Sequence, residues 1–232
     1  TREIDRDWAE RMVQEAPLVL NRPGTRGNNC DSPSAEKIYG FSQSTINACN
    51  FNYVPLMPTM GPVTSSNPSD YASSFTHVHE QAHPDSYQVL LDSGIRVDLT
   101  ATTRTGWQRY TFPRTSQANV LFNVGARASG SEIHIVDDRT IEGWAQYRNR
   151  KVFFVAKLSR PFTAYGTWNA SQLTPESRDS ANPGRGSNGG WISFDTTKDD
   201  APVVVKVGLS FTGIAGARKN LDVETSQLGF DF

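Results

Sequence analysis

The pattern that most constrains the fold is a series of short segments in which apolar residues alternate with polar ones or run together over a few positions. Alternation with a period of two buries one face of a β-strand. The turn Asp92-Ser93-Gly94 separates two such segments, residues 87–91 and 95–99, and predicts a β-hairpin. Further segments have the same character: residues 106–112, 118–124, 132–136, 140–147, 152–158, 162–168, 191–195 and 203–211.

Short strands at close spacing, joined by many turns, are typical of a β-sandwich or a barrel. Helical character is confined to two stretches. Residues 1–14 could form a helical or irregular lead-in, and in residues 215–224 the side chains of Ala217, Leu221 and Glu224 recur at helical spacing. Residues 174–190 are rich in Ser, Asn, Pro and Gly and are interpreted as an exposed loop. The sequence predicts one all-β domain, residues 1–232, with few short helices.

Length and charge agree with a single domain and exclude several kinds of partner. At 232 residues the chain can bury a sizeable core. A net charge of −1 gives no field that would hold nucleic acid, and no apolar run is long enough to cross a bilayer. The sequence begins at Thr1 without a methionine or a signal peptide, so we expect either a processed product or an excised piece of a longer chain.

The two cysteines, Cys30 and Cys49, leave two alternatives open. A disulfide between them would close a short loop and stabilise the fold by roughly 3 kcal/mol. Isolated cysteines are also compatible with buried free thiols. The sequence does not give the distance between their Cα atoms, so both interpretations stand.

One histidine cluster has the residue types of a metal site. On a strand, His77 and His79 would project to the same face, with Glu80 beside them. Pro84 indicates a turn, however, and we predict no metal site here. No Gly-x-Ser-x-Gly elbow is present, and the glycine-rich stretch 125–130 lacks the lysine of a phosphate loop.

Aromatic side chains could stack on sugar rings, but those within strands are more often part of the core. We therefore expect core positions for Trp107, Tyr110, Trp144, Tyr147, Trp168 and Trp191.

Several longer segments carry a resemblance to a known family. The most specific is GIRVDLTATTR at residues 94–104, which continues through RYTFP at 109–113. Others are IYGFS at 38–42, VPLMPTMG at 54–61, FTH at 75–77, ANVL at 118–121, KVGLSF at 206–211 and ARKNLDVE at 217–224. In this order, over about residues 37–224, they resemble the N-terminal domain of family 92 glycoside hydrolases, which are exo-acting α-mannosidases.

The resemblance implies a galactose-mutarotase-like supersandwich of antiparallel sheets, followed in the family by a helical (α/α)6 domain. That helical domain carries the catalytic carboxylates and the calcium of a calcium-dependent inverting mannosidase. No catalytic residue, metal ligand or cofactor is therefore expected in this chain, and residues 215–224 would begin the linker helix to the missing catalytic domain. The acidic residues agree, because they are scattered and mostly flank turns: Asp92, Asp98, Asp137, Asp138, Glu142, Asp195, Asp199 and Asp200.

The resemblance also places loops of this domain at one wall of the mannose pocket. Family members carry a tryptophan-containing turn that ends in cysteine; here Cys30 matches, but Asn28 and Asn29 replace the tryptophan. The histidine-rich stretch that follows Phe-Ser in the family is altered to residues 43–46, which begin with Gln43. An amide can replace stacking with hydrogen bonds. The substrate-binding residues that we predict are Asn28, Asn29, Cys30, Cys49 and Asn50.

The predicted function is that of a non-catalytic N-terminal domain of a secreted or periplasmic α-mannosidase. Its expected partners are the helical catalytic domain of the same parent chain and mannose-containing glycans. Such a domain would expose a sizeable apolar patch where its partner docks. Two alternatives stay open: a stand-alone carbohydrate-binding module, and a structural or interaction domain that has lost the sugar site.

Overall fold

Antiparallel strands account for most of the computed structural model, which describes residues 16–21, 35–46, 51–83 and 85–226. Within these ranges there are two helices, α1 (Pro68–Tyr71) and α2 (Ile214–Thr225). The strands are β1 (Ala16–Asn21), β2 (Ala35–Ser42), β3 (Ser44–Ile46), β4 (Phe51–Tyr53), β5 (Leu56–Met60), β6 (Ser73–Ala82), β7 (Ser86–Leu91), β8 (Arg96–Ala101), β9 (Thr105–Thr111), β10 (Ala118–Phe122), β11 (Gly130–Ile135), β12 (Thr140–Tyr147), β13 (Arg150–Leu158), β14 (Ala164–Asn169), β15 (Gln172–Pro175), β16 (Asp179–Asn182), β17 (Asn188–Phe194) and β18 (Val203–Ser210).

A single path of antiparallel pairing joins all of these strands except the β3–β4 hairpin. Its order is β15-β14-β17-β10-β5-β2-β6-β7-β8-β9-β18-β13-β12-β11-β16, with β1 paired to β2. The two ends of the path lie close together: the Thr167 hydroxyl of β14 donates to the Asp179 carbonyl of β16 at 3.2 Å. The sheet thus turns back on itself, and its two halves enclose one apolar core. The predicted all-β sandwich is confirmed.

Burial along the strands follows their position in the sandwich. In β12, buried residues alternate with half-exposed ones, the period of two that the sequence shows. β18 is instead buried along its whole length, because the core covers one face and α2 packs on the other. A Cβ atom at Gly208 would lie 2.7 Å from Leu221 Cβ, so the helix sits directly on the strand.

Two tryptophans fill the core by packing over glycines on the neighbouring strand. Gly166 of β14 pairs with Trp191 of β17, and Trp168 of β14 pairs with Gly189 of β17. A Cβ atom at Gly166 would lie 2.3 Å from the Trp191 ring, and one at Gly189 would lie 2.5 Å from the Trp168 ring. The two rings stack with centroids 6.4 Å apart.

The remaining aromatic side chains are mostly buried, as expected. Trp107, Tyr110 and Tyr147 belong to the interior. Trp144 is the exception: it lies half-exposed on β12, where Lys151 Nζ stands 3.4 Å above its ring and its indole N–H donates to Glu132 at 2.8 Å.

One part of the secondary-structure prediction was wrong. Residues 174–190, interpreted as a loop, contain the end of β15, all of β16 and the start of β17. β16 has the polar sequence Asp-Ser-Ala-Asn and lies at the edge of the sheet, where it pairs with β11. An edge strand with little to bury shows no apolar alternation, so its sequence resembles that of a loop. The helix predicted at 215–224 is confirmed as α2, and residues 1–14 lie outside the described ranges.

Several connections meet at one end of the sandwich, which we call the loop end. Register places Phe41, Leu56, Phe122 and Gly190 side by side on four neighbouring strands. The turn of residues 123–129, the hairpin turn of residues 147–150 and residues 211–213 belong to the same end. The Ser129 N–H donates to the Gln146 carbonyl at 2.7 Å, which joins the first two.

Candidate functional site

All of the predicted substrate-binding residues lie outside the described ranges: Asn28, Asn29, Cys30, Cys49 and Asn50. The two alternatives for Cys30 and Cys49, a disulfide and free thiols, therefore both stay predictions. The strands that flank the two segments are described. Residues 22–34 join Asn21 and Ala35, which pair at one end of β2, whereas residues 47–50 join β3 and β4 beyond its other end. Because β2 consists of eight residues in an extended conformation, its two ends lie about 26 Å apart.

Gln43, which follows β2 at the loop end, is a buried amide without hydrogen-bond partners. Its backbone N–H donates to the Tyr53 carbonyl at 2.9 Å, and its side chain is fully buried. Neither Nε2 nor Oε1 has a partner. Each buried polar group without a partner lowers the free energy of unfolding by about 1–3 kcal/mol. A contribution to stability therefore does not explain the presence of the Gln43 amide.

An aromatic cluster supports the backbone beside Gln43. The ring of Tyr53 packs edge-on against Tyr147, with centroids 4.7 Å apart, and also against Phe211. Val54, the next residue, has a φ of +47°, a left-handed conformation that is strained for a β-branched side chain. Strain of this kind persists only where the surroundings enforce it, and it is frequent at functional sites.

A cavity of about 560 Å³ lies at the same end of the sandwich. Its walls are Tyr39 of β2, the start of α1, the turn of residues 123–128 and residues 185–187. Arg127 and Arg185 line it, and none of its described lining residues is acidic. Arg127 has a φ of +57°, a backbone conformation that costs a non-glycine residue roughly 1–2 kcal/mol.

The two turns that carry these arginines are packed backbone to backbone. A Cβ atom at Gly125 would lie 2.5 Å from the Asn188 nitrogen and 2.6 Å from the Gly186 carbonyl oxygen. The Gly125 N–H donates to the Asn188 carbonyl at 2.6 Å, and the Ala128 N–H donates to the Gly125 carbonyl at 3.1 Å. Arg127 is thus held on a rigid turn.

Several of the described carboxylates are engaged in structural contacts. Asp98 is 1% exposed and lies between Arg96 and Arg109, each with its Nε 3.1 Å from a carboxylate oxygen. Glu142 pairs with Arg218, and Asp137 accepts the Arg139 N–H.

The carboxylates of Asp199 and Asp200, in the connection between β17 and β18, are paired as well. Hydrogen bonds from Arg160 hold the pKa of Asp199 below its ordinary value, and Arg114 has the same effect on the pKa of Asp200. Both groups therefore stay ionised near neutral pH and are poor general acids.

The histidines of β6 do not converge on a metal. Phe75 and Glu80 lie five positions apart on β6, but the β7 residues that pair with them lie only two positions apart. A bulge in β6 therefore interrupts the alternation of its two faces. His77 Nδ1 contacts Glu80 at 2.6 Å, whereas His79 Nδ1 contacts Thr76 at 3.3 Å. Among the described residues, no three His, Cys, Asp or Glu side chains are placed to hold an ion.

Helix α2 is fixed to the outer face of the sheet at several points. Its buried residues Ala217 and Leu221 pack against Val155. Lys157 Nζ contacts Asp222 at 2.8 Å. Near the end of the helix, Glu224 accepts hydrogen bonds from the Thr102 hydroxyl, from the Arg104 N–H at 2.9 Å and from Arg104 Nε at 2.8 Å.

These contacts make the stability of the α2 attachment depend on pH. Burial alone would raise the pKa of Glu224, but the hydrogen bonds from Thr102 and Arg104 and the charge of Arg104 outweigh it and lower the pKa. A carboxylate with a depressed pKa stabilises the fold above its unfolded pKa of about 4.3, and this contribution is lost as pH falls through the folded pKa.

We expect Glu224→Gln to lower the free energy of unfolding by about 1 kcal/mol at pH 7. At pH 3 the difference should be smaller, because the stabilising contribution of Glu224 is lost as pH falls through its folded pKa. Urea unfolding at the two pH values measures both quantities. The control is Glu176→Gln at an exposed turn, which should leave the free energy of unfolding unchanged at both pH values. An equal loss for Glu224→Gln at both pH values would contradict the prediction.

The apolar surface is smaller than expected for a docking face. The exposed large apolar side chains of the described residues are Val78, Leu90, Val136, Phe211 and Val223. Of these, Val78 and Leu90 line one shallow cavity of about 220 Å³. The expected sizeable apolar patch is thus not found in the part of the chain that the structure describes. No described helix has the length and apolar character needed to cross a membrane.

Comparison with known proteins identifies the family of this chain. The family model for the glycosyl hydrolase family 92 N-terminal domain matches residues 12–210. No curated protein matches the chain.

Similar solved structures cover nearly the whole chain. A family GH92 inverting mannosidase from Bacteroides thetaiotaomicron VPI-5482 is 22% identical over 96% of this chain and 30% of its own, with a TM-score of 0.82. A family GH92 α-mannosidase from Bacteroides thetaiotaomicron is 23% identical over 95% of this chain and 33% of its own, with a TM-score of 0.80. A bacterial glucoamylase has a TM-score of 0.52 at 9% identity. The likeness shows the fold, and the chain spans about a third of the two mannosidases.

Proposed function

Because the chain belongs to glycosyl hydrolase family 92 as its N-terminal domain, we propose that it is the non-catalytic part of an α-mannosidase that removes terminal mannose from glycans. In this proposal the sandwich packs on a helical (α/α)6 catalytic domain of the same parent chain. Loops at the loop end of the sandwich contribute one wall of the sugar pocket.

The observation that carries the non-catalytic role is the state of the carboxylates. An inverting glycosidase needs a general acid and a general base whose carboxyl groups stand about 6.5–9.5 Å apart across the sugar. The most buried described carboxylate, Asp98, is neutralised by two arginines, and Glu142 is paired with Arg218. Each of these residues has a structural task that a catalytic role would disrupt.

Helix α2 supports the proposed connection to a second domain. It ends at Thr225, and Glu224 in its last turn is tied to Thr102 and Arg104. Since the helix cannot swing freely, it would set the direction in which a following domain begins. The shortage of apolar surface among the described residues implies a polar interface between the domains, as is common within a chain.

Gln43 is the described residue that best suits the proposed pocket wall. Its amide offers a donor and an acceptor without partners, and both are suited to sugar hydroxyls. Because the side chain is fully buried, a sugar would reach it only after a local conformational change uncovers it. We propose that it acts together with the predicted residues Asn28, Asn29, Cys30, Cys49 and Asn50.

The calcium of the mannosidase would belong to the catalytic domain. The described residues offer no group of acidic or histidine side chains for it. We further propose that the protein acts outside the cytoplasm, in the periplasm or after secretion, where its glycan substrates would be found.

The alternative of a stand-alone carbohydrate-binding module has less support. Such a module would present aromatic rings on one sheet face, but Trp107, Trp168 and Trp191 are buried. Among the described residues, Trp144 is a half-exposed indole already covered by Lys151.

Activity measurements test the proposal. The 232-residue chain should not release 4-nitrophenol from an α-mannoside, with or without calcium, whereas the product of the complete gene should do so when calcium is present. The background is measured with the same chain after heat denaturation. Steady turnover by the purified chain, proportional to its concentration, would overturn the non-catalytic role. Lack of activity in the complete gene product towards every α-mannoside tested would overturn the mannosidase assignment.

A further inference from the structure

The cavity between the turn of residues 123–128 and residues 185–187 has the features of a binding site that the proposed function does not use. Its volume of about 560 Å³ lies within the range of small-molecule pockets, about 300–1,000 Å³. Three separate segments and Tyr39 build its walls. The close approach at Gly125 fixes the two turns against each other, so the cavity is preformed.

Its charge favours an anionic ligand. Arg127 and Arg185 reach it from opposite turns, and no acidic side chain stands among its described lining residues. A guanidinium group presents paired N–H donors that match the oxygens of a carboxylate or a phosphate. Tyr39 adds a further donor: burial raises the pKa of its hydroxyl, although the charge of Arg127 acts against this, so the hydroxyl stays protonated at neutral pH.

The wall also contains an acceptor that lacks a donor. Asn123 is 6% exposed and lines the cavity. Its Nδ2 donates to the Tyr71 hydroxyl at 3.0 Å, while its Oδ1 has no partner. Buried amide groups in folded proteins are nearly always paired. Because this oxygen is itself covered, a ligand hydroxyl or N–H group would supply the missing donor after a small shift of the wall.

We propose that this cavity binds a small ligand that carries an oxyanion, a carboxylate or a phosphate, next to a hydroxyl group. In this arrangement Arg127, Arg185 and the Tyr39 hydroxyl contact the anion, and Asn123 accepts from the hydroxyl. A sugar acid and a sugar phosphate both have this chemistry. The site does not rest on the proposed mannosidase function, since binding requires no hydrolysis and no second domain.

Calorimetric titration of the full chain tests the site with three probes: glucuronate, inorganic phosphate and mannose. We expect at least one of the two anions to bind, and mannose to bind much more weakly. The anion that binds more tightly identifies the carboxylate or the phosphate as the preferred group. Raising the salt concentration should weaken the binding of either anion.

The key variant is Arg127→Gly, and the chain provides a matched control in Arg148→Gly. Both arginines have left-handed backbone conformations, with φ of +57° and +56°, which glycine adopts without strain. Glycine therefore relieves the same backbone strain in both variants, and both lose one positive charge. Arg148 does not line the cavity.

We expect Arg127→Gly to weaken anion binding about tenfold or more, and Arg148→Gly to weaken it much less. Arg185→Ala, at an exposed position, should repeat the effect of the first variant. Three results would each overturn the proposal: no heat from either anion at millimolar concentration, equal binding of mannose and glucuronate, or the same dissociation constant for Arg127→Gly and the wild type.

Discussion

Gly189→Ala is expected to destabilise the fold by about 3 kcal/mol or more, a large fraction of the total stability of a domain. A Cβ atom at this position would lie 2.0 Å from the Phe122 carbonyl oxygen and 2.5 Å from the Trp168 ring. Neither neighbour can retreat. Phe122 belongs to the paired strand β10, and Trp168 is fully buried with its indole N–H bonded to the Ser187 hydroxyl at 3.0 Å.

Urea unfolding followed by tryptophan fluorescence measures this loss, because the stacked Trp168 and Trp191 report on this part of the core. Gly184→Ala is the matched control. The nearest heavy atom to a Cβ there is Asn182 Oδ1 at 3.7 Å, an ordinary contact. That variant should stay within about 0.5 kcal/mol of the wild type. Equal stability of the two variants would show that the close packing of Trp168 over Gly189 is not a feature of the folded protein.

Gln43→Leu is expected to act in opposite directions on stability and on activity. Leucine removes two buried polar groups that lack partners, so the free energy of unfolding should rise by about 1–3 kcal/mol. If Gln43 contacts the sugar as proposed, the same change in the complete gene product should lower kcat/KM for an α-mannoside roughly tenfold or more, because each lost hydrogen bond is worth about 1 kcal/mol.

Gln108→Leu provides the comparison for this prediction. Gln108 is also fully buried, but its Nε2 donates to the Phe41 carbonyl at 3.2 Å and its Oε1 accepts from the Tyr110 hydroxyl. Leucine here would remove both of these hydrogen bonds, so the protein should lose stability. Thermal and urea unfolding of both variants show whether each substitution raises or lowers stability. A destabilised Gln43→Leu variant would mean that the Gln43 amide has partners in the folded protein, and unchanged kcat/KM would remove Gln43 from the pocket wall.

The opposite effects expected for Gln43→Leu and Gln108→Leu on stability indicate that the two buried amides have different roles. A buried amide that lowers stability is what a binding site would contain, because such sites often trade stability for function. By contrast, Asp98 is buried with both of its oxygens paired to arginines, so its burial needs no ligand to explain it.

Much of the sheet could be predicted because its strands bury one face. The segments 87–91 and 95–99, joined by Asp92-Ser93-Gly94, form the β7–β8 hairpin, and β12 covers residues 140–147 as expected. Helix α2 followed from the spacing of Ala217 and Leu221, which are the residues it buries. Where a strand buries little, as β16 does, the same reasoning gave a loop.

The sequence by itself determined the fold class, most of the core aromatics and the family, because burial imposes a period on the chain and the ordered segments from residue 38 to 224 carry the resemblance. Only the tertiary structure decided which polar side chains are satisfied. Gln43 and Gln108 are the same residue type in apolar surroundings, and only packing makes one of them unpaired. Arg127 and Arg185 lie far apart in sequence and meet at one cavity because Phe122 pairs with Gly190 across β10 and β17. Hydrogen bonds and charge depend on distances between segments, which a one-dimensional pattern does not contain.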